Sequence, residues 1–180
     1  MKNKETPLVV RPVVRWLKKQ DADWEIRTPK HSSSETGWDI EARRKNMDLL
    51  IEAKYIDGPF LSSFEGLVTA PLANRPQHSM KTKYRSWCQN VCWAIGSSRD
   101  MVGIHTALLD DLSRTLSFWK HYSEDLNLKY VFFVEDKKVA RASFRKLLKT
   151  AKAYKKAAAK KSHRVRRSIA SKLLKKLEYK

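Results

Sequence analysis

Two carboxylates, those of Asp39 and Glu52, and the amine of Lys54 stand at positions that could do chemistry together in the stretch WDIEARRKNMDLLIEAKY, residues 38–55. Its polar and apolar residues alternate on both sides of a short polar break, which is the pattern of a β-hairpin. A turn centred after Lys45 pairs residues whose numbers sum to 91, so Asp39 faces Glu52 across the two strands. Lys54 follows two residues later and shares their face of the sheet. We therefore expect two acids and an ammonium group in one small patch.

Opposed acids on paired strands need a counter-charge. Directly opposed Cβ atoms lie roughly 5 Å apart, and like charges at that separation destabilise the sheet. A divalent cation is the usual group that offsets this repulsion, and Mg²⁺ typically takes only one or two protein carboxylates. Asp39 and Glu52 are thus a sufficient set of side-chain ligands. Metal ions held in this way can hydrolyse phosphodiesters, with Lys54 orienting the attacking water or carrying charge in the transition state.

The alternate residues of the same hairpin are apolar, so they should pack inward. They are Ile40, Ala42, Leu49, Ile51 and Ala53.

Helix and strand patterns flank the hairpin. Apolar residues at three-to-four spacing predict a helix from Arg11 to Gln20, and a short alternating run predicts a strand from Trp24 to Thr28. Residues 60–79 predict one or two helical turns, or a loop lying over the site, because two prolines interrupt the apolar pattern.

The second half of the chain continues this mixture of helices and strands. Helical spacing predicts one helix over Ser79–Ile95 and another over Met101–Tyr122. The run Tyr130–Val134 is continuously apolar, aromatic and β-branched, which suits a strand buried on both faces. This order of elements predicts an α/β sheet covered on both sides.

Composition predicts a folded, cytoplasmic protein. A length of 180 residues with 42% hydrophobic residues supports a compact body with a real core. No apolar run approaches the roughly 18 residues of a membrane span, and the first residues lack a signal-peptide layout. Cys88 and Cys92 are expected on one face of a helix, where two thiols without nearby His or Cys cannot complete a zinc site.

The positive charge is concentrated near the end of the chain. Residues 137–180 hold 18 Lys and Arg against one acid, whereas residues 1–136 hold 20 against 18. From Lys138 onward, alanine-rich and amphipathic patterns predict two basic helices. We therefore predict two units, a core at residues 1–136 and a basic helical extension at residues 137–180.

Such an extension is expected to bind nucleic-acid phosphates with salt-sensitive, largely sequence-independent affinity. The alternatives are a solvated helical face and, less favoured because its apolar stripe is thin and lacks tryptophan, a membrane-surface helix. The predicted nucleic-acid-binding residues are Lys137, Lys138, Arg141, Arg145, Lys149, Lys152, Lys155, Lys156, Lys160, Lys161, Arg164, Arg166 and Arg167.

The hairpin resembles that of the PD-(D/E)XK superfamily of restriction-endonuclease-like nucleases. The phrases GWDIEA and DLLIEAKY carry the match, with Asp39 and Glu52 as the two acids and Lys54 as the lysine. The order of the flanking elements also matches, and the resemblance extends over about residues 8–136. The chain departs from the family pattern in having Gly37-Trp38, and no proline, before the first acid.

The resemblance implies a restriction-endonuclease-like core, a central mixed β-sheet flanked by helices. It also implies cleavage of DNA, less often RNA, with Mg²⁺ or Mn²⁺ bound by Asp39, Glu52 and the main-chain carbonyl of Ala53. Some members add an acid from the first helix, for which Glu5 or Glu25 is available, or a glutamine from the helix after the hairpin. The candidate for that glutamine is Gln89.

Three functions are consistent with the sequence. The first is a Mg²⁺-dependent deoxyribonuclease acting on duplex or branched DNA, for which a homodimer would let one site per chain cut both strands. The second is a non-catalytic nucleic-acid-binding protein with a nuclease-like core. The third is a ribonuclease. No membrane partner is expected.

Overall fold

The computed structural model describes residues 4–29, 37–45, 47–73, 89–97 and 100–174. These residues form one six-stranded mixed sheet with helices on both faces, so the α/β class predicted from the order of elements is confirmed. The elements in chain order are a π-helical turn Thr6–Val10, α1 Arg11–Gln20, β1 Glu25–Arg27, β2 Ile40–Arg44, β3 Met47–Ile56, α2 Phe60–Ala73, β4 Gln89–Ser97, α3 Met101–Arg114, α4 Leu116–Leu126, β5 Leu128–Glu135, β6 Lys138–Ser143, α5 Phe144–Ala158 and α6 His163–Leu174.

The strands lie in the sheet in the order in which they occur in the chain. β2 is antiparallel to both of its neighbours, β1 and β3. β3, β4 and β5 run parallel, and β6 returns antiparallel to β5. The predicted hairpin and its register are confirmed, since Ile40 pairs with Ile51 and Arg44 with Met47. Lys45 takes up a left-handed conformation, φ 48°, at the turn.

Each face of the sheet has its own hydrophobic core. The apolar residues of the hairpin pack with α1 and with Phe132 of β5 on one face, as the alternation predicted. The helices α2, α3, α4 and α5 cover the other face around Trp93, which is fully buried. Because side chains alternate along β3, Glu52 and Lys54 point to this second face.

The helix predicted over Ser79–Ile95 is wrong where the structure describes it, because β4 occupies Gln89–Ser97. Its residues from Val91 to Ile95 are buried between β3 and β5 with both faces covered. A continuous apolar run of this kind satisfies helical spacing and a central parallel strand equally well. Cys92 is therefore a buried strand residue, and Cys88 lies outside the described residues.

The helices around β4 also differ from the predicted ones. α2 is a helix of 14 residues that contains Pro71 close to its end, in place of the predicted turns or loop. The single helix predicted over Met101–Tyr122 is two helices separated at Thr115, and the second continues to Leu126. Asn127 ends it in a left-handed conformation, φ 53°, which asparagine tolerates well.

The basic part of the chain begins with a strand and not with the predicted helix. β6 adds to the edge of the sheet beside β5, which confirms Tyr130–Val134 as part of a buried strand. The two predicted helices follow as α5 and α6. The apolar side of α5, including Phe144 and Tyr154, belongs to the same core as α3. The division of the chain at residue 136 stays a prediction that rests on charge. The residues on both sides of it contribute strands to the same sheet.

Among the described residues, no helix is both long enough and apolar enough to cross a membrane.

Candidate active site

Asp39 lies at the entrance to the hairpin, one residue before β2. The register of the hairpin places it opposite Glu52, as predicted. Its Oδ2 atom accepts a hydrogen bond of 2.8 Å from the main-chain N–H of Ala53 on β3. This bond ties the first acid to the strand that carries the second acid and the lysine.

Glu52 is a buried carboxyl, with only 6% of its surface exposed. Its neighbour across the sheet is Trp93, which packs at right angles to Phe64 and Trp119. Burial beside these rings, and secondarily the charge of Asp39, raises the pKa of Glu52 to about 8, against the lowering effect of Lys54. The fold therefore disfavours a charged Glu52 unless a further positive charge is present.

Lys54 forms an ion pair with Glu5, with 3.3 Å between Nζ and Oε1. Glu5 stands at the start of the π-helical turn that leads into α1, and its charge also acts to raise the pKa of Glu52. The first helical segment thus contributes an acid to the group, which was one of the two options from the sequence. Asp39, Glu52, Lys54 and Glu5 form the cluster that we call the acid–lysine site.

The other two optional residues lie away from this site. Glu25 is exposed on the edge strand β1 and pairs with Arg43, near the turn of the hairpin. Gln89 begins β4, four residues before Trp93, and pairs with Asp48. At about 3.3 Å per residue, Gln89 is roughly 13 Å along the strand from Trp93, the neighbour of Glu52. Gln89 is also on a strand, whereas the resemblance implied a helix.

α2, which is formed by part of the segment after the hairpin, lies over the acid–lysine site. A Cβ atom added at Gly66 would lie 2.7 Å from Cε of Lys54. Two residues further along, the carbonyl of Val68 accepts a hydrogen bond of 2.8 Å from the hydroxyl of Tyr122 on α4. Burial, with a smaller contribution from the charge of Glu52, raises the pKa of Tyr122. The sequence offered a loop lying over the site as one interpretation of residues 60–79, whereas it gave no signal for a role of Tyr122.

Metal ligation at this site would depend on few side chains. Among the described residues, no group of three or more His, Cys, Asp and Glu side chains is arranged to hold a metal ion. Two carboxylates, Asp39 and Glu52, with a main-chain carbonyl such as that of Ala53, suit Mg²⁺, which keeps several of its waters. The buried Glu52, whose charge lacks full compensation, fits such a cation. These oxygen donors differ from the thiol and imidazole ligands of a typical zinc site.

The cationic residues predicted to bind nucleic acid divide into two groups. Those on the outer side of α5, in the segment after it and at the start of α6 are exposed, and they are Arg145, Lys149, Lys152, Lys155, Lys156, Lys160, Lys161 and Arg164. Lys137 and Lys138 are exposed at the turn between β5 and β6.

Three other arginines make contacts within the protein. Arg141 stacks on Tyr130 and Trp16, at 4.6 Å and 5.4 Å from the ring centroids. Arg166 pairs with Asp110 at 3.0 Å, and Arg167 pairs with Asp100. These contacts hold β6 and α6 to the rest of the fold, which the charge pattern alone did not indicate.

Comparisons with protein-family models, with curated proteins and with solved structures found no match to this chain.

Proposed function

We propose that this protein is a metal-dependent nuclease with a restriction-endonuclease-like core, which hydrolyses phosphodiester bonds of DNA at the acid–lysine site. The observation that carries the proposal is the buried acid Glu52, which faces the half-buried acid Asp39 beside Lys54. A fold gains nothing in stability from such a pair, because each acid disfavours the charged form of the other. Binding of a divalent cation by the two acids would account for this arrangement.

The element order supports the same proposal. A helix, a strand, a hairpin, a covering helix and a further parallel strand follow one another in the structure. The resemblance implied the first helix, the first strand and the hairpin in this order, whereas β4 stands where a helix was predicted. The hairpin register supplies the facing of Asp39 and Glu52 that the family's chemistry needs.

Each residue of the site has a distinct role in the proposed reaction. Asp39, Glu52 and the carbonyl of Ala53 would hold Mg²⁺, which supplies a water of lowered pKa and neutralises charge on the phosphoryl group. Glu52 must release its proton before it can act as a ligand, because burial holds its pKa at about 8. Lys54, aligned by Glu5, donates a hydrogen bond to the attacking water or to a phosphate oxygen.

The exposed cations of α5 would hold the nucleic-acid backbone. Arg145, Lys149, Lys152 and Lys156 recur at intervals of three and four, so they lie along one side of the helix. The opposite side packs in the core. Cations along one side of a helix contact phosphates and do not read bases, which favours largely sequence-independent binding of DNA.

A cleavage assay with plasmid and oligonucleotide substrates, with and without Mg²⁺ or Mn²⁺, tests the proposal. We expect metal-dependent cleavage by the wild type and a loss of at least about 100-fold in Asp39→Asn and Glu52→Gln. Asn retains an acceptor for the N–H of Ala53, so the fold should survive. Glu25→Gln, at an exposed acid outside the site, is the matched control and should cleave like the wild type.

Other outcomes of this assay point to other functions. Full activity in Asp39→Asn would remove the catalytic assignment. Salt-sensitive binding of DNA without any metal-dependent cleavage would identify a non-catalytic binding protein, and cleavage of RNA alone would identify a ribonuclease.

A further inference from the structure

Lys54 reaches its ion pair with Glu5 by passing directly over the backbone of α2. The outer part of its side chain lies on Gly66, where an added Cβ atom would be 2.7 Å from Cε, 3.6 Å from Nζ and 3.9 Å from Cδ. Real Cβ atoms essentially never approach another atom as closely as the first of these distances. The present path of Lys54 is therefore open only because residue 66 has no side chain.

Glycine at this position is unfavourable for the helix itself. Gly66 lies in the interior of α2, where glycine is a poorer helix former than alanine. The described structure gives no left-handed conformation to any glycine, so its backbone does not require glycine either. The contact with Lys54 is the feature of the structure that accounts for glycine at residue 66.

α2 is held in place on either side of this contact. Phe64 packs against Trp93 and Trp119, and the carbonyl of Val68 accepts a hydrogen bond from Tyr122. A methyl group at residue 66 would thus displace the flexible end of Lys54 more readily than it would displace the helix.

We propose that Gly66 is a positioning residue, which sets the place of the Lys54 ammonium by leaving room for the end of its side chain against α2. With no Cβ atom at residue 66, Cε of Lys54 lies against the helix and Nζ reaches Oε1 of Glu5. The consequence for catalysis rests on the proposed function, whereas the placement of the ammonium does not.

Gly66→Ala tests this role, with Gly58→Ala as the matched control. Gly58 lies between β3 and α2 with no atom within 4 Å of an added Cβ, so a methyl group is accommodated there. In crystal structures of the two variants, we expect the Lys54 Nζ–Glu5 Oε1 ion pair to be broken in Gly66→Ala and retained in Gly58→Ala. An ion pair that persists in Gly66→Ala would overturn the proposal.

Cleavage rates and thermal stability provide the second readout. We expect Gly66→Ala to cleave DNA at least about tenfold more slowly than wild type, since small misplacements of a reacting group reduce rates strongly. Its melting temperature should be equal or higher, because alanine favours the helix. In a Lys54→Ala background the same substitution should slow cleavage no further. An equal additional loss in that background would show that Gly66 acts independently of Lys54.

Two further outcomes also test the proposal. If Gly66→Ala does not fold, the double variant Gly66→Ala/Lys54→Ala should fold, since it removes the opposing side chain; failure of both would overturn the proposal. If the wild type does not cleave nucleic acid at all, the crystal structures still decide the placement of Lys54, and only the proposed function fails.

Discussion

Glu52 occupies a position where a carboxylate is unfavourable without a counter-charge. Its side chain lies against Trp93 and beneath α2, and Asp39 adds a second negative charge. Lys54, whose charge acts to lower the pKa of Glu52, also pairs with Glu5. The tertiary structure therefore gives the second acid of the motif a property that a carboxylate on an open sheet face would not have.

This environment predicts that the stability of the metal-free protein falls as the pH rises. The pKa of Glu52 is about 8 in the folded state and near 4.5 in the unfolded state, so the folded state binds more protons between these values. The free energy of unfolding should therefore decrease between about pH 4.5 and pH 8. Glu52→Gln should remove this decrease and exceed the wild type in stability above pH 8. Urea unfolding across this pH range measures the effect.

A neighbouring acid provides the control for that experiment. Glu41, half-buried on β2 on the same face of the sheet, can be changed to Gln and should keep the wild-type pH slope. Mg²⁺ should raise the stability of the wild type at pH 8 and have little effect on Glu52→Gln, because binding to the folded state stabilises it. A Glu52→Gln variant with an unchanged pH slope would contradict the burial argument.

At the scale of elements, the two sides of α5 differ in environment. Phe144, Leu147 and Tyr154 pack into the core, and the hydroxyl of Tyr154 bonds to Asp110 of α3 at 2.9 Å. The outer side of α5 carries exposed cations. A helix fixed in this way presents its charges from a packed backbone, so the proposed phosphate binding would require little ordering of the backbone.

Neutralising this outer side should weaken DNA binding in a salt-dependent manner. We expect the fourfold variant Arg145→Gln/Lys149→Gln/Lys152→Gln/Lys156→Gln to reduce the slope of log K against log[salt], by about 0.9 for each DNA phosphate that the variant no longer neutralises. Its melting temperature should stay near that of the wild type, because these side chains are exposed. Fluorescence anisotropy with duplex DNA at several salt concentrations gives the slope.

α1 supplies a matched set of charges for comparison. Lys18 and Lys19 are exposed in its last turn, on the other face of the sheet from α5. Their replacement by Gln should leave the salt slope closer to that of the wild type. An α5 variant that binds like the wild type at every salt concentration would place the DNA elsewhere.

At the scale of the whole molecule, the basic end is part of the fold. β6 completes the sheet beside β5, and the apolar side of α5 fills the core that contains Trp93. Arg166 pairs with Asp110 and Arg167 pairs with Asp100, and these ion pairs hold α6 to the rest of the fold. A chain lacking these elements would expose one edge of β5 and a large part of the core.

Truncation after Asp136 is therefore expected to abolish cooperative folding. The shortened chain loses the side chains of Phe144, Leu147 and Tyr154, each worth roughly 2–5 kcal/mol in a core. Together they are comparable with the whole stability of a small domain. Circular dichroism during heating should show a cooperative transition for residues 1–180 and none for residues 1–136. A truncated chain that melts cooperatively would show that the first unit folds alone.

Local patterns determined much of this architecture from the sequence. α1 has the predicted bounds, and the hairpin has the predicted register, because alternation and a tight turn act over a few residues. β5 was recognisable from its composition, since a strand buried on both faces suits such a run. The same information identified Asp39, Glu52 and Lys54 as one group.

Only the tertiary structure decided the remaining features. β4 is a strand because two parallel neighbours bury it on both faces, and β6 is a strand because β5 offers an open edge. Glu5 reaches Lys54 across about fifty residues of sequence, and α2 lies against Lys54 at Gly66. Contacts between distant segments leave no periodic signal in the chain. For this protein, the sequence by itself determined which residues could do chemistry, and the packing of distant elements decided their burial, their charge and their cover.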